Sequence, residues 1–196
     1  PHGVQAERIV DIAATSVHAL QERFGAYPHR TLRVVEIPAS WGFGALAANG
    51  ALFLTESRGM LSDARDGDVD LLLRRIGHEV GHQWWGHTID PLPLEGSLVL
   101  VESLAKYSEQ LLLEGKQGAE GVSRMMAYDE DRYLKGRANV IGLEPTLAAA
   151  RDESWMYYGK GAMAFHALRY SLGINAIIPA LRMLVATEGG PRGAPH

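Results

Sequence analysis

The chain opens on a helical period. From Val4 to Phe24, the residues Ile9, Ala13, Val17, Leu20 and Phe24 recur three or four positions apart, which places them on one face of an amphipathic helix. Gly25 and Pro28 end that pattern. Thr31–Ile37 is short, β-branched and bounded by Pro28 and Pro38, so it reads as a strand, and Ala51–Thr55 reads as another. Between them, Trp41–Gly50 is rich in Gly and Ala. Ser57–Asp68 is polar, contains Gly59 and Gly67, and predicts a loop. Beyond Val69 the period lengthens again. Leu72, Leu73, Ile76, Val80 and Trp84 predict a helix over 70–87, closed by Pro91 and Pro93. Ser97 is a candidate N-cap for a helix running to Leu113, and further helices are predicted over 118–135, 160–172 and 175–186. The Gly/Pro-rich end, 189–196, predicts a disordered tail. Strands come first and helices follow, which gives an α+β fold.

Length changes this picture little: 196 residues suit one compact domain or one two-lobed unit. The formal net charge of −4, with no concentrated run of Lys and Arg, argues against nucleic acid as a partner. Cysteine is absent, so disulfides and thiolate metal ligands are excluded and any metal site must use histidine and carboxylate. No apolar run approaches the ~20 residues of a membrane span, and the N-terminus does not read as a signal peptide; the chain reads as soluble. Compartment and oligomeric state leave no mark in the sequence.

The chemistry concentrates in His78-Glu79-Val80-Gly81-His82. Residues four apart share a helix face, so His78 and His82 can present two imidazoles to one ion. Glu79 lies one step round the helix, where a carboxylate can take a proton from water activated by that ion. Zinc is the ion this donor set suits, and a catalytic zinc site takes three protein ligands and keeps a position open. A third histidine in the pattern HExxHxxGxxH would need glycine at position 85 and histidine at position 88, where the chain has Trp85 and Thr88. The remaining candidates are Glu95, Glu102 and Glu109. Glu95 falls in the Pro/Gly connection, and Glu109 reads as part of a solvated face. Glu102 sits in an apolar stretch, where a lone carboxylate is costly unless paired or bound to a metal, and is the ligand chosen. His87 is a candidate hydrogen-bonding partner for the site.

HEVGHQWWGH followed by ESLAKYSEQLLLE resembles the gluzincin metallopeptidases of the aminopeptidase N and leukotriene hydrolase family, and GAYPHRTLRVVEIP is similar to that family's strand after its Tyr-Pro turn. The resemblance implies a thermolysin-like zincin catalytic domain over 1–188, with a lobe over 1–90 carrying the sheet and the HExxH helix, a helical lobe over 91–188, and a cleft between them. It implies one zinc ion, a peptide substrate and hydrolysis of the aminopeptidase type. Trp155–Gly161 resembles the family's Tyr-x-Lys-Gly segment, which makes Tyr158 the donor to the oxyanion, with Tyr157 as the neighbour that could be mistaken for it. Gly44-Ala45-Leu46-Ala47 corresponds to the family's substrate-binding strand, whose Glu binds a free amino terminus. Here that position is Ala47, so an endopeptidase, or a zincin-fold domain that only binds peptide or a membrane partner, are the alternatives; Glu36 or Glu56 could stand in for the missing acid. The interval from the second histidine to Glu102 is 102 − 82 = 20 against the family's usual nineteen, which one extra residue in 91–96 would absorb. WWGH and this interval are more like the bacterial branch fused to membrane transporter-like segments, which implies a larger membrane-associated chain as the setting.

Overall fold

The computed structural model describes residues 3–61 and 70–190. Positions 62–69 of the expected loop, and the predicted tail from 191, lie outside the described residues. The first helix, α1 (Ala6–Phe24), buries Ile9, Ile12, Ala13, Ser16, Leu20 and Phe24 at helical spacing, and Gly25 stops it with φ 112°. Val17, half a step round that face, is only partly buried. Three strands follow: β1 (Arg33–Ile37), β2 (Ala45–Ala48) and β3 (Ala51–Thr55). They form one sheet in the order β1-β3-β2, with β1 parallel and β2 antiparallel to β3. Asn49 and Gly50 close the β2–β3 hairpin, and Gly50 adopts φ 68°, the left-handed backbone that tight hairpin turns require. β2 is therefore an edge strand. Glu56–Met60, which overlaps the start of the loop predicted over 57–68, winds into a single π-helical turn.

The central helix, α2 (Leu71–Gly81), is capped by Asp70, whose side chain accepts from the Leu73 N–H at 2.9 Å. It ends well before His87, where the periodicity predicted. Gly86, at φ 108°, donates to the Ile89 carbonyl at 2.6 Å, and Ile89 donates to that of Trp84 at 2.7 Å, so a tight turn replaces the last helical residues. Trp84 and Trp85 prolong the apolar pattern because they belong to the core, not because they are helical. Both are fully buried against Phe24, with ring centroids 6.3 and 4.9 Å away.

Winding resumes at Ser97, already inside the helix rather than capping it, and passes through a π-helical turn, Val99–Ser103, into α3 (Leu104–Ala138). Gly118, with φ 66° and ψ −167°, breaks α3 into the two helices the sequence suggested. A further π-helical turn, Met156–Lys160, leads into α4 (Gly161–Leu172), and α5 (Ile174–Glu188) completes the fold. No single helix among the described residues is long and apolar enough to cross a membrane.

α2 packs between α1 and α3. Glycine lets α3 approach: a Cβ at Gly81 would stand 3.0 Å from Ser108 Cβ and 3.3 Å from Ala105 Cα. Beside this contact lies a buried ionic cluster. Lys106 Nζ is 2.8 Å from Glu109 Oε2 and 3.2 Å from Asp129 Oδ1, and Arg74 bonds Glu109 and reaches Asp129 at 3.3 Å. The cluster joins α2 to both parts of α3. Glu109 is thus not on a solvated face; it is 3% exposed and held by cations. Burial pushes its carboxyl up, and Lys106 and Arg74 more than reverse that, leaving it well below the usual carboxylate range.

Candidate metal centre and catalytic cleft

His78 and His82 leave the last turn of α2 on one face, and Glu102 meets them from the π-helical turn before α3. Their nearest donor atoms lie within 4.8 Å of one another. The two Nε2 atoms are 3.1 Å apart, and Glu102 Oε2 is 3.2 Å from that of His78 and 3.5 Å from that of His82. The other nitrogen of His82, Nδ1, is 2.9 Å from the Trp85 carbonyl oxygen. With its proton on Nδ1, His82 turns a bare lone pair towards the other two groups, the arrangement typical of a metal-ligating histidine. The turn at Gly86 brings that carbonyl round, and a Cβ there would meet Val101 Cγ1 at 3.1 Å. His78 Nδ1 faces Glu109 Oε2 at 4.0 Å.

The electrostatics agree with the geometry. Burial pushes the Glu102 carboxyl up, but the two histidines hold it far below its ordinary range. Burial pushes His82 down, and Glu102 more than reverses it. Both shifts have one origin: lone pairs crowd together, and positive charge among them relieves the repulsion. Two imidazoles and one carboxylate, converging and partly shielded from water, fit a zinc ion.

Glu79 shares a cavity of about 240 Å³ with these three residues, lined also by Ala45, Leu46, Ala47, Gly86, His87, Val101 and Tyr158. Burial raises the Glu79 carboxyl above its usual value. Burial, and then the charge of Glu102, drive the Tyr158 phenol far up, so it stays protonated and can donate. Its ring stands 5.6 Å from that of His78, whereas Tyr157 is absent from the cavity lining and its carbonyl accepts from Ser103 Oγ at 2.8 Å. The π-helical turns bearing Glu102 and Tyr158 interlock at that bond. A Cβ at Gly161 would fall 2.1 Å from Ser103 Oγ, so only glycine permits this approach.

Ala45, Leu46 and Ala47 bring the edge of β2 to the cavity. Gly44 does not line it. Its carbonyl accepts from the Thr55 N–H and Oγ at 3.1 and 3.0 Å, and Arg58 fills the space beside its Cα. Neither suggested substitute for the missing acid lines the cavity either; Glu56 instead accepts from the Ala39 N–H at 3.3 Å. His87 sits in the wall beside Ala47, and Glu95 is exposed.

Three features escaped the sequence reading. Glu109 is one. Gln83, fully buried, is the second: its Oε1 accepts from the Gly50 N–H at 2.9 Å and its Nε2 donates to the Ala48 carbonyl at 3.0 Å, tying the hairpin to the end of α2. The third is a neighbouring cavity of about 290 Å³ that shares His78, Glu79 and Tyr158 and is lined further by Arg74, Arg75, Lys106, Glu109 and Arg132. Only the position of Gln83, directly after the second histidine, hinted at any of them.

The family model described as the Peptidase family M1 domain matches residues 9–188. No curated protein matches the chain. Among solved structures, the chain is similar to a point mutant of a two-domain M1 zinc metallopeptidase bound to L-tryptophan. The identity is 28% and the TM-score 0.64, over 90% of this chain and 36% of that one. It is similar in fold to the native LTA4 hydrolase of yeast, with 18% identity and a TM-score of 0.71 over 94% of this chain and 29% of that one. The chain thus spans about a third of the length of each solved relative.

Proposed function

The chain belongs to peptidase family M1, and from that premise we propose that it forms the catalytic domain of a zinc-dependent peptidase, with His78, His82 and Glu102 holding the metal, Glu79 as general base and Tyr158 as oxyanion donor. The observation that carries this reading is the convergence of three lone pairs within 4.8 Å beside a buried carboxylate. Zinc held there supplies Lewis acidity, polarising a carbonyl and acidifying water.

The protein's own groups do the rest. The backbone edge of Ala45–Ala47 pairs with an extended peptide and lays its scissile bond across the cavity. Glu79 removes a proton from the attacking water and delivers it to the leaving amine, so the base of the first step is the acid of the second. The Tyr158 hydroxyl donates to the oxygen on which negative charge develops. His82 is kept in register by the Trp85 carbonyl and His78 by its position one helical turn away.

A specific observation bears on where peptides are cut. An ammonium bound in a closed site needs a negative partner, and at the strand edge Ala47 offers none. Cleavage inside peptides, rather than removal of amino-terminal residues, is therefore the second reading.

Digestion of a mixed peptide library by the zinc-loaded protein, read by mass spectrometry, tests both. In Glu79→Gln, turnover should fall at least ~10²–10⁴-fold, the span of general-base contributions, while metal analysis still finds one zinc per chain. Activity persisting in that variant would rule out Glu79 as the base. Products shortened by single amino-terminal residues would favour the aminopeptidase type, and internal cuts the alternative.

A further inference from the structure

The two cavities that meet at Glu79 and Tyr158 differ in charge. On the β2 side the acids in the lining are Glu79 and Glu102, both already occupied in the reading above. On the other side stand four cations, Arg74, Arg75, Lys106 and Arg132. Arg74 and Lys106 are matched by the buried Glu109 and Asp129. Arg75 and Arg132 are not matched in this way. Arg75 donates to the Arg58 carbonyl, and the Arg132 guanidinium lies over the Tyr158 ring, 4.4 Å from its centroid. Neither has a carboxylate partner within ion-pair distance among the described residues, and both are partly exposed to the cavity. Among the described residues, Glu79 is the acid whose charge acts on Arg75. A guanidinium presents a planar fork of donors that fits a carboxylate.

We propose that Arg132, together with Arg75, binds a carboxylate of the substrate beside the scissile bond, so that the preferred substrates are acidic peptides. The carboxylate is either an acidic side chain adjoining the bond or the free carboxyl terminus of a short peptide; the chemistry is shared. Arg132 stacks on the residue placed at the oxyanion, so an anion on its far side lies within one residue's reach of the reacting carbonyl. The inference rests on the peptidase reading and adds the substrate class to it. It also accounts for two guanidinium groups that, among the described residues, have no carboxylate within ion-pair distance, beside a strand edge where Ala47 stands.

The test uses peptides that differ at one place only: Glu against Gln on either side of the cleaved bond, and free acid against amide at the carboxyl terminus. The acidic member of one set should have a kcat/KM about tenfold or more above its neutral partner, as one charge-assisted hydrogen bond supplies, and the set identifies which carboxylate is read. That ratio should fall towards one in Arg132→Gln and recover in part in Arg132→Lys. Calorimetric binding of the same pairs to Glu79→Gln, alone and combined with Arg132→Gln, reads the anion site without turnover. Equal turnover and equal affinity for acidic and neutral peptides overturn the proposal, as does a preference that survives in both Arg132→Gln and Arg75→Gln. Cleavage without acid preference sinks the anion site and leaves the peptidase reading standing. Acid-selective binding that depends on Arg132, in a protein that cleaves no peptide, does the reverse.

Discussion

Gln83 stands one residue beyond the second histidine, fully buried, with both ends of its amide taken by the hairpin turn. Truncating it strands the Gly50 N–H and the Ala48 carbonyl. Gln83→Ala should therefore cost about 1–3 kcal/mol in a urea titration, and KM for peptides should rise more than kcat falls, because β2 is loosened while Glu79 stays in place. An unchanged midpoint would show that the hairpin is held by other contacts. At this scale the sequence was readable wherever chemistry is local. His78, Glu79 and His82 declare themselves through helical spacing, and Glu102 through the cost of a lone carboxylate among Val, Leu and Ala. Glu109 did not, because the cations that make its burial tolerable include Arg74, 35 positions away. The same holds for Arg132, whose meaning depends on a tyrosine brought to it by a different helix.

At the scale of elements, the site depends on two π-helical turns, Val99–Ser103 and Met156–Lys160, pressed together at Ser103 and Gly161. Such turns recur at functional sites because a widened turn re-aims the side chains it carries. Gly161→Ala would put a methyl 2.7 Å from Ser103 Cβ as well as against its hydroxyl, so the turns must separate. The expected loss is about 1–3 kcal/mol of stability, measured by thermal unfolding, with a fall in kcat as Tyr158 moves relative to Glu102. A variant with wild-type Tm and kcat would mean that the turns tolerate separation. The amphipathic helices and both predicted strands were legible from spacing. The π-helical turns were not, since they arise from a contact between segments 54 positions apart rather than from any residue pattern. The early end of α2 was hidden for a related reason: Trp84 and Trp85 satisfy a helical period while serving the core from a turn.

Across the whole molecule, the ionic cluster of Arg74, Lys106, Glu109 and Asp129 ties α2, the helix of the HExxH motif, to both parts of α3, on either side of the Gly118 break. Removing one partner from such a cluster leaves buried charge unmatched. Asp129→Ala should destabilise the fold by about 3–5 kcal/mol by denaturant titration, a far larger effect than loss of the exposed Lys135–Asp131 pair, and a loss under 1 kcal/mol would refute this role. The α+β class was evident from the order of strands and helices. The packing that sets α2 between α1 and α3 was not, because the role of Gly77 and Gly81 shows only once α3 is seen lying against them. The amide of Gln83 has a further consequence for anyone recombining such domains. The hairpin and the residue after the second histidine form one transplantable cassette. A donor hairpin longer by a single residue would carry the Ala48 and Gly50 backbone groups out of reach of that amide, so chimeras should keep their crossover points outside the span from β2 to Gln83.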